Sequence, residues 1–120
     1  MHFDNMIWRV FLEVNTRDKA LKMISKIEQT LGHKIVLGTC ERYWKDETLY
    51  EVDFTIPLNC SNIEQAVFKS LILANKINRE WYVIGPYETQ TNIWHFEGIC
   101  SKPNFIGMNW ANFIIENDIA

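Results

Sequence analysis

An α+β domain, one antiparallel sheet with two helices on one of its faces, is the fold class this sequence predicts. Segments such as Ile7 to Val14 and Thr48 to Leu58 alternate apolar and polar residues with the two-residue period of a half-buried strand. Two other segments, near residues 17–31 and 63–77, repeat apolar residues at helical spacing behind polar caps. Five Gly and three Pro, scattered through 120 residues, leave no linker, repeat or low-complexity stretch that would divide the chain, so residues 1–120 are read as a single domain.

In the first strand, Ile7 to Val14, residues Trp8, Val10, Leu12 and Val14 point one way and Arg9 and Glu13 the other. Asn15-Thr16-Arg17-Asp18 supplies a helix N-cap with an acid in the first turn, where the helix dipole favours it. Ala20, Ile24, Ile27 and Leu31 then form one helical stripe over about 17 to 31, and Gly32 is the stop. Lys34 to Lys45 reads as a second strand, and Lys45-Asp46-Glu47 as a polar turn. Thr48 to Leu58 is a third strand with Tyr50, Val52, Phe54 and Ile56 on one face and Glu51, Asp53 and Thr55 on the other. Pro57, which has no N–H to give a ladder, is expected to end it. Ser61-Asn62-Ile63-Glu64 has the form of a capping box, and Ile63, Val67, Leu71, Ala74 and Ile77 mark the second helix. Glu80 to Pro86 and Ile93 to Cys100 are a fourth and a fifth strand joined by the polar stretch Glu88 to Asn92. The last segment, Gly107 to Ala120, keeps Trp110, Phe113, Ile114 and Ile115 and is expected to dock on the rest.

Strand, helix, strand, strand, helix, strand, with one strand more, is a ferredoxin-like βαββαβ(β) order. Right-handed crossovers place both helices on the same sheet face. The fifth strand extends the sheet beside the fourth, and the opposite face stays partly open, carrying Arg9, Glu13, Glu51 and Asp53.

The chain has 48% hydrophobic and 22% charged residues, an ordinary globular composition that argues against disorder. Twelve basic and fifteen acidic residues leave a formal charge of −3, the wrong sign for a duplex-binding domain. No apolar run is long enough to cross a membrane, and the N-terminal stretch Met1 to Val10 does not read as a signal peptide, so the expected location is the cytoplasm. Cys40, Cys60 and Cys100 make no Cys-x-x-Cys pair and are expected to be free thiols.

Sites of chemistry are sparse. His2, His33 and His95 lie in separate elements; His95 with Glu97, two apart on one strand, is the sharpest candidate for a metal, yet no third ligand is written beside it. Neither Cys40 nor Cys100 carries a local sign of a nucleophile paired with His95, and Glu51 and Asp53 read as acids on a solvated strand. The glycines form no phosphate-binding loop, leaving only the start of the first helix, near Arg17 and Lys19, as an anion site opposed by Asp18. RNA binding of the RRM kind needs rings on the open face of the middle strands. Here Tyr50 and Phe54 point inward and Glu51 and Asp53 outward, which excludes it. No catalytic residue, cofactor or metal is expected.

Sixteen aromatic residues exceed what a small core hides with ease. Tyr43, Trp44 and Tyr50 gather around the acidic turn Asp46-Glu47, and Trp81, Tyr87 and Trp94 on the hairpin of the fourth and fifth strands. Phe68 and Ile72 form an apolar pair offset from the core stripe of the second helix. Rings mixed with carboxylates suit a cationic protein partner, and the residues expected to bind it are Tyr43, Trp44, Asp46, Glu47, Tyr50, Glu51 and Asp53.

The stretches Trp81-Tyr82-Val83-Ile84-Gly85-Pro86-Tyr87, Trp94-His95-Phe96-Glu97-Gly98 and Gly107-Met108-Asn109-Trp110 resemble small bacterial immunity proteins of contact-dependent growth inhibition systems. The resemblance implies a small, cytosolic, non-enzymatic protein that binds and blocks one cognate protein toxin domain, often a nuclease. It carries no residue-by-residue motif and leaves monomer or dimer open. A second expectation is a small-molecule enzyme or sensor with Trp81, Trp94 and His95 lining a pocket, His95 acting as acid or base. That reading requires a cavity on the order of several hundred Å³ with convergent polar groups. A third, more distant one is an assembly subunit pairing through the fifth strand.

Overall fold

In chain order the computed structural model, which describes residues 2–117, contains β1 (Phe3–Leu12), α1 (Arg17–Leu31), β2 (Val36–Arg42), β3 (Tyr50–Cys60), α2 (Ile63–Ile77), β4 (Tyr82–Gln90), β5 (Ile93–Ser101) and β6 (Met108–Glu116). Two helices pack against a six-stranded antiparallel sheet, an α+β fold of broadly ferredoxin-like arrangement.

Helix α1 has the bounds its periodicity predicts. The Thr16 side chain accepts the N–H of Lys19 at 3.2 Å, and Gly32, at φ 63°, closes the C-terminus in the left-handed conformation. Helix α2 is capped by Asn62 rather than Ser61: the Asn62 side chain accepts from Gln65 N at 2.8 Å. Its buried face is Ile63, Ala66, Ser70, Leu73, Ala74 and Ile77, so Leu71, expected inside, lies on the outside. The two helices are tied at their C-terminal ends. Lys76 Nζ donates to the carbonyl of Leu31 at 3.0 Å, and the Trp81 indole donates to the carbonyls of Ala74 and Asn78.

All five predicted strands differ from their expected bounds, β5 by a single residue, and β4 runs on to Gln90 through part of the stretch expected to connect it to β5; for β1 and β3 the reasons are local. β1 begins at Phe3 because a register irregularity between Phe3 and Asn5 breaks the alternation while still burying Phe3 and Met6. β3 runs through Pro57 to Cys60. Its ladder with β2 starts only at Val36 opposite Thr55, so the missing N–H of Pro57 falls where β3 has no second neighbour.

The sheet order is β2-β3-β1-β6-β5-β4. The ferredoxin-like βαββαβ order predicted from the sequence implies a fourth strand beside the first; here β6 holds that place instead. The final segment, whose residues 118–120 lie outside the described range, supplies β6, and β6 takes the central slot between β1 and β5. Burial explains the choice. A central strand must present apolar side chains to the helices, and Met108, Ala111, Phe113 and Ile115 of β6 are all buried. β4, with Gly85, Pro86, Glu88, Thr89 and Gln90, has no buried residue and takes the edge, where polar side chains stay hydrated.

The core lies between this sheet and the helices. Trp8 is its centre, stacked on Phe54 at 5.7 Å and met edge-on by Trp81 at 5.6 Å. Gly98 on β5 faces Phe113 on β6, whose ring covers it so closely that any Cβ there would collide. The residues expected beneath the helices (Trp8, Val10, Leu12, Tyr50, Val52, Phe54 and Ile56) are buried, with Val14 partly so just past the end of β1.

Candidate functional site

The sheet face opposite the helices carries no covering layer among the described residues. Strand pairing lines its side chains up in rows across the strands. One row runs Val36, Thr55, Ile7, Ile114, Glu97, Ile84; the next Asp53, Arg9, Asn112, Ile99, Tyr82; the next Glu41, Glu51, Phe11, Trp110, Ser101. At the β4 side Tyr87, His95 and Glu116 make a further row. The carboxylates of Glu41, Glu51, Asp53, Glu97 and Glu116 therefore share one surface with Arg9 and His95.

Both cations are already engaged. Arg9 pairs with Glu51, which raises its pKa, and its guanidinium lies 5.5 Å from the Phe11 ring centre. Glu41 stands directly opposite Glu51, a like-charge pair that the Arg9–Glu51 ion pair offsets. The two nitrogens of His95 face two acids: Nδ1 is 2.9 Å from Glu116 Oε1, and Nε2 is 3.1 Å from Glu97 Oε1. Both contacts are hydrogen bonds only if both nitrogens carry protons, so the geometry selects the imidazolium. Burial alone would lower the His95 pKa, but the hydrogen bonds and charges of Glu97 and Glu116 outweigh it and raise it. Asn112 Nδ2 holds the other Glu97 oxygen at 3.3 Å, and the Tyr87 ring packs 5.3 Å from the imidazole.

Rings cross the other end of the face. Trp110 lies 5.3 Å from Phe11, Phe11 4.6 Å from Tyr43, and Tyr43 6.3 Å from Trp44. Trp44, in the β2–β3 turn, is 81% exposed, and Lys45 Nζ sits 4.9 Å from its ring centre. The turn is built by Asp46, whose carboxylate accepts from Thr48 Oγ1 at 2.6 Å and Thr48 N at 2.9 Å. The Thr48 hydroxyl and amide hold the Asp46 pKa below its ordinary value.

The structure thus brings Tyr43, Trp44, Asp46 and Glu47 together at one corner of the face and sets Glu51 and Asp53 along β3 beside them. Glu47 is exposed, and its carbonyl accepts from Arg42. Asp53 accepts from Thr39 Oγ1 at 2.9 Å. Tyr50 lies on the other side of the sheet, 8% exposed with Arg42 over its ring, so it supports the turn from within. The sequence reading missed Phe11, Glu41, Trp110 and Glu116. Phe11 and Glu41 share the outward parity of Arg9 and Glu51, a signal visible once register is known. Trp110 and Glu116 gave none while the last strand had no place.

Other expected groupings come apart. Trp81 packs on the helix side against Trp8 and Phe113, Trp94 also joins the core side, and Tyr87 and His95 occupy the open face. Trp81, Trp94 and His95 therefore line no common pocket. A hollow of about 980 Å³ beside the start of β4, with Trp81, Tyr82, Cys100 and Lys102 in its wall, contains neither Trp94 nor His95. Cys100 accepts from Asn78 Nδ2 at 3.0 Å on the side away from His95, and burial raises the Cys100 thiol pKa, as it does that of Cys40. At the start of α1 a hollow of about 450 Å³ holds Lys19 together with Glu13, so a carboxylate shares the expected anion site. Among the described residues no group of three or more His, Cys, Asp or Glu is arranged so that it could hold a metal ion, and no helix there is long and apolar enough to cross a membrane. No protein-family model, no curated protein and no solved structure matches this chain.

Proposed function

We propose that this chain is a non-catalytic immunity protein that binds and blocks a cognate bacterial toxin domain of the nuclease class, in the cytoplasm, through the open face of its sheet. The observation that carries the reading is the composition of that face: Glu41, Glu51, Asp53, Glu97 and Glu116 against two cations, Arg9 and His95, each already paired with a carboxylate. A nuclease active site presents cations to attract phosphates. A surface of opposite sign speeds encounter with it, and exposed rings give the complex its lifetime. Trp44 is the natural anchor, since its ring already attracts the Lys45 ammonium and a toxin lysine or arginine can occupy the same position. The same carboxylates repel nucleic acid, which supports a protein as the partner.

The test pairs this chain with the toxin domain encoded beside it and measures binding by calorimetry and protection in a growth assay. Trp44→Ala is expected to weaken binding by about 2 kcal/mol, roughly 30-fold, chiefly through faster dissociation, with folding unaffected because the residue is exposed. Asp53→Lys is expected to slow association most at low salt. Full affinity in Trp44→Ala together with no salt dependence would remove this face from the interaction. Failure to bind the neighbouring toxin would remove the immunity reading itself.

A further inference from the structure

Two segments distant in sequence form the hollow of about 980 Å³ beside the start of β4. The turn from α2 into β4 supplies Arg79, Glu80 and Tyr82 to its lining. The end of β5 and the loop after it supply Ser101, Lys102 and Asn104. Asn78 braces the two segments against each other. Its Nδ2 donates to the Glu80 carbonyl at 2.8 Å and to Cys100 Sγ at 3.0 Å, and its Oδ1 accepts from Asn104 N at 3.2 Å. The hollow is therefore held in shape by the protein itself, and its volume lies within the range of about 300–1,000 Å³ that small-molecule sites occupy.

The cations of this lining are not spent inside the molecule. Neither Arg79 nor Lys102 pairs with a carboxylate among the described residues, and both are exposed. Lys102 is also held in a costly conformation. Its φ is 56°, and the other non-glycine residues at positive φ among those described are Asn59 and Asn92, of a type that tolerates it. A lysine keeps such a backbone only where its surroundings impose it, and strain of this kind gathers at ligand-binding sites. Here the Lys102 N–H is tied to the Asn109 carbonyl at 2.9 Å, and Pro103, which follows, is buried. We propose that this hollow binds a small phosphate monoester carrying a planar ring, of the size of a nucleoside monophosphate. A guanidinium and an ammonium together match the charge of about −2 on a phosphate monoester near pH 7, where a carboxylate leaves one of them unmatched. Tyr82, 71% exposed, offers a ring for the ligand's ring to stack on. Glu80 is the one acid of the lining and repels an anion beside it. The phosphate therefore lies toward Arg79 and Lys102, and a hydroxyl or amino hydrogen of the ligand toward Glu80. The hollow is at the β4 edge of the sheet and the Tyr43–Trp44 corner at the β2 edge, and the inference does not rest on the function proposed above.

A titration at low ionic strength, followed by amide chemical shifts, tests it with adenosine monophosphate as the probe. Shifts are expected at residues 78–82 and 99–104, saturating with a Kd of about 1 mM or tighter. Inorganic phosphate and adenosine, each carrying one half of the probe, are expected to bind at least about tenfold more weakly. Arg79→Gln, at an exposed position, is expected to weaken binding by about tenfold. Lys102→Gly is expected to weaken it as much while the melting temperature stays level or rises, because glycine adopts that φ without strain; the loss is then one of binding and not of folding. No saturable shift at about 10 mM probe, shifts confined to other residues, inorganic phosphate binding as tightly as the nucleotide, or full affinity in either variant would each overturn the proposal.

Discussion

His95 is the residue whose chemistry the fold changes most. Alone on a strand it would titrate as an ordinary imidazole. Between Glu97 and Glu116 it holds its proton more tightly. A folded-state pKa raised above the unfolded one gives stability that is fully present below the ordinary imidazole value and is lost as pH rises through the folded value. His95→Gln is therefore expected to lower stability by about 1 kcal/mol at about pH 6, and by less at about pH 9, in denaturant melts. An NMR titration placing His95 below the ordinary imidazole value would contradict this. The sequence showed half of the cluster, because Glu97 is two residues from His95. It did not show Glu116, which reaches His95 only through the pairing of β5 with β6.

At the scale of elements, the helices were legible and the strands only partly so. Helix boundaries are written locally: Thr16, Gly32 and Asn62 act within one turn of the backbone they cap. Strand limits depend on neighbours, as Pro57 shows by sitting inside β3 past the end of β2. The pair of β5 and β6 depends on an exchange of volume, Phe113 occupying the space a side chain at position 98 would fill. Gly98→Ala is expected to destabilise the protein by about 1–3 kcal/mol, read as a lower melting temperature with secondary structure retained. An unchanged melt would show that the ring moves aside freely. Gly85, at φ 96° with the His95 carbonyl close to where a Cβ would stand, is constrained by backbone on the same hairpin.

For the whole molecule, β6 is the piece that joins two halves. It pairs with β1 on one side and β5 on the other, so the β4–β5 hairpin reaches the first three strands only through it. A chain ending at residue 106 is expected to lose cooperative unfolding and amide chemical-shift dispersion altogether, where an edge strand's removal would leave a folded remainder. A folded, cooperative truncated chain would contradict the sheet order. The open face is likewise a property of the whole, since its five carboxylates come from four strands and become one surface only when the strands are side by side.

By itself the sequence determined the two helices with the caps of the first, the alternation of the strands, the inward set around Trp8 and the acidic, ring-bearing turn at residues 43–47. All of these are set by residues near one another along the chain, through period, capping and turn chemistry. Tertiary structure alone decided that β6 and not β4 lies beside β1, that Trp44 stands free, and that His95 is held by two acids. Those outcomes come from competition among distant segments for a limited buried area, where the strand with the most apolar inner face takes the centre and the most polar one takes the edge.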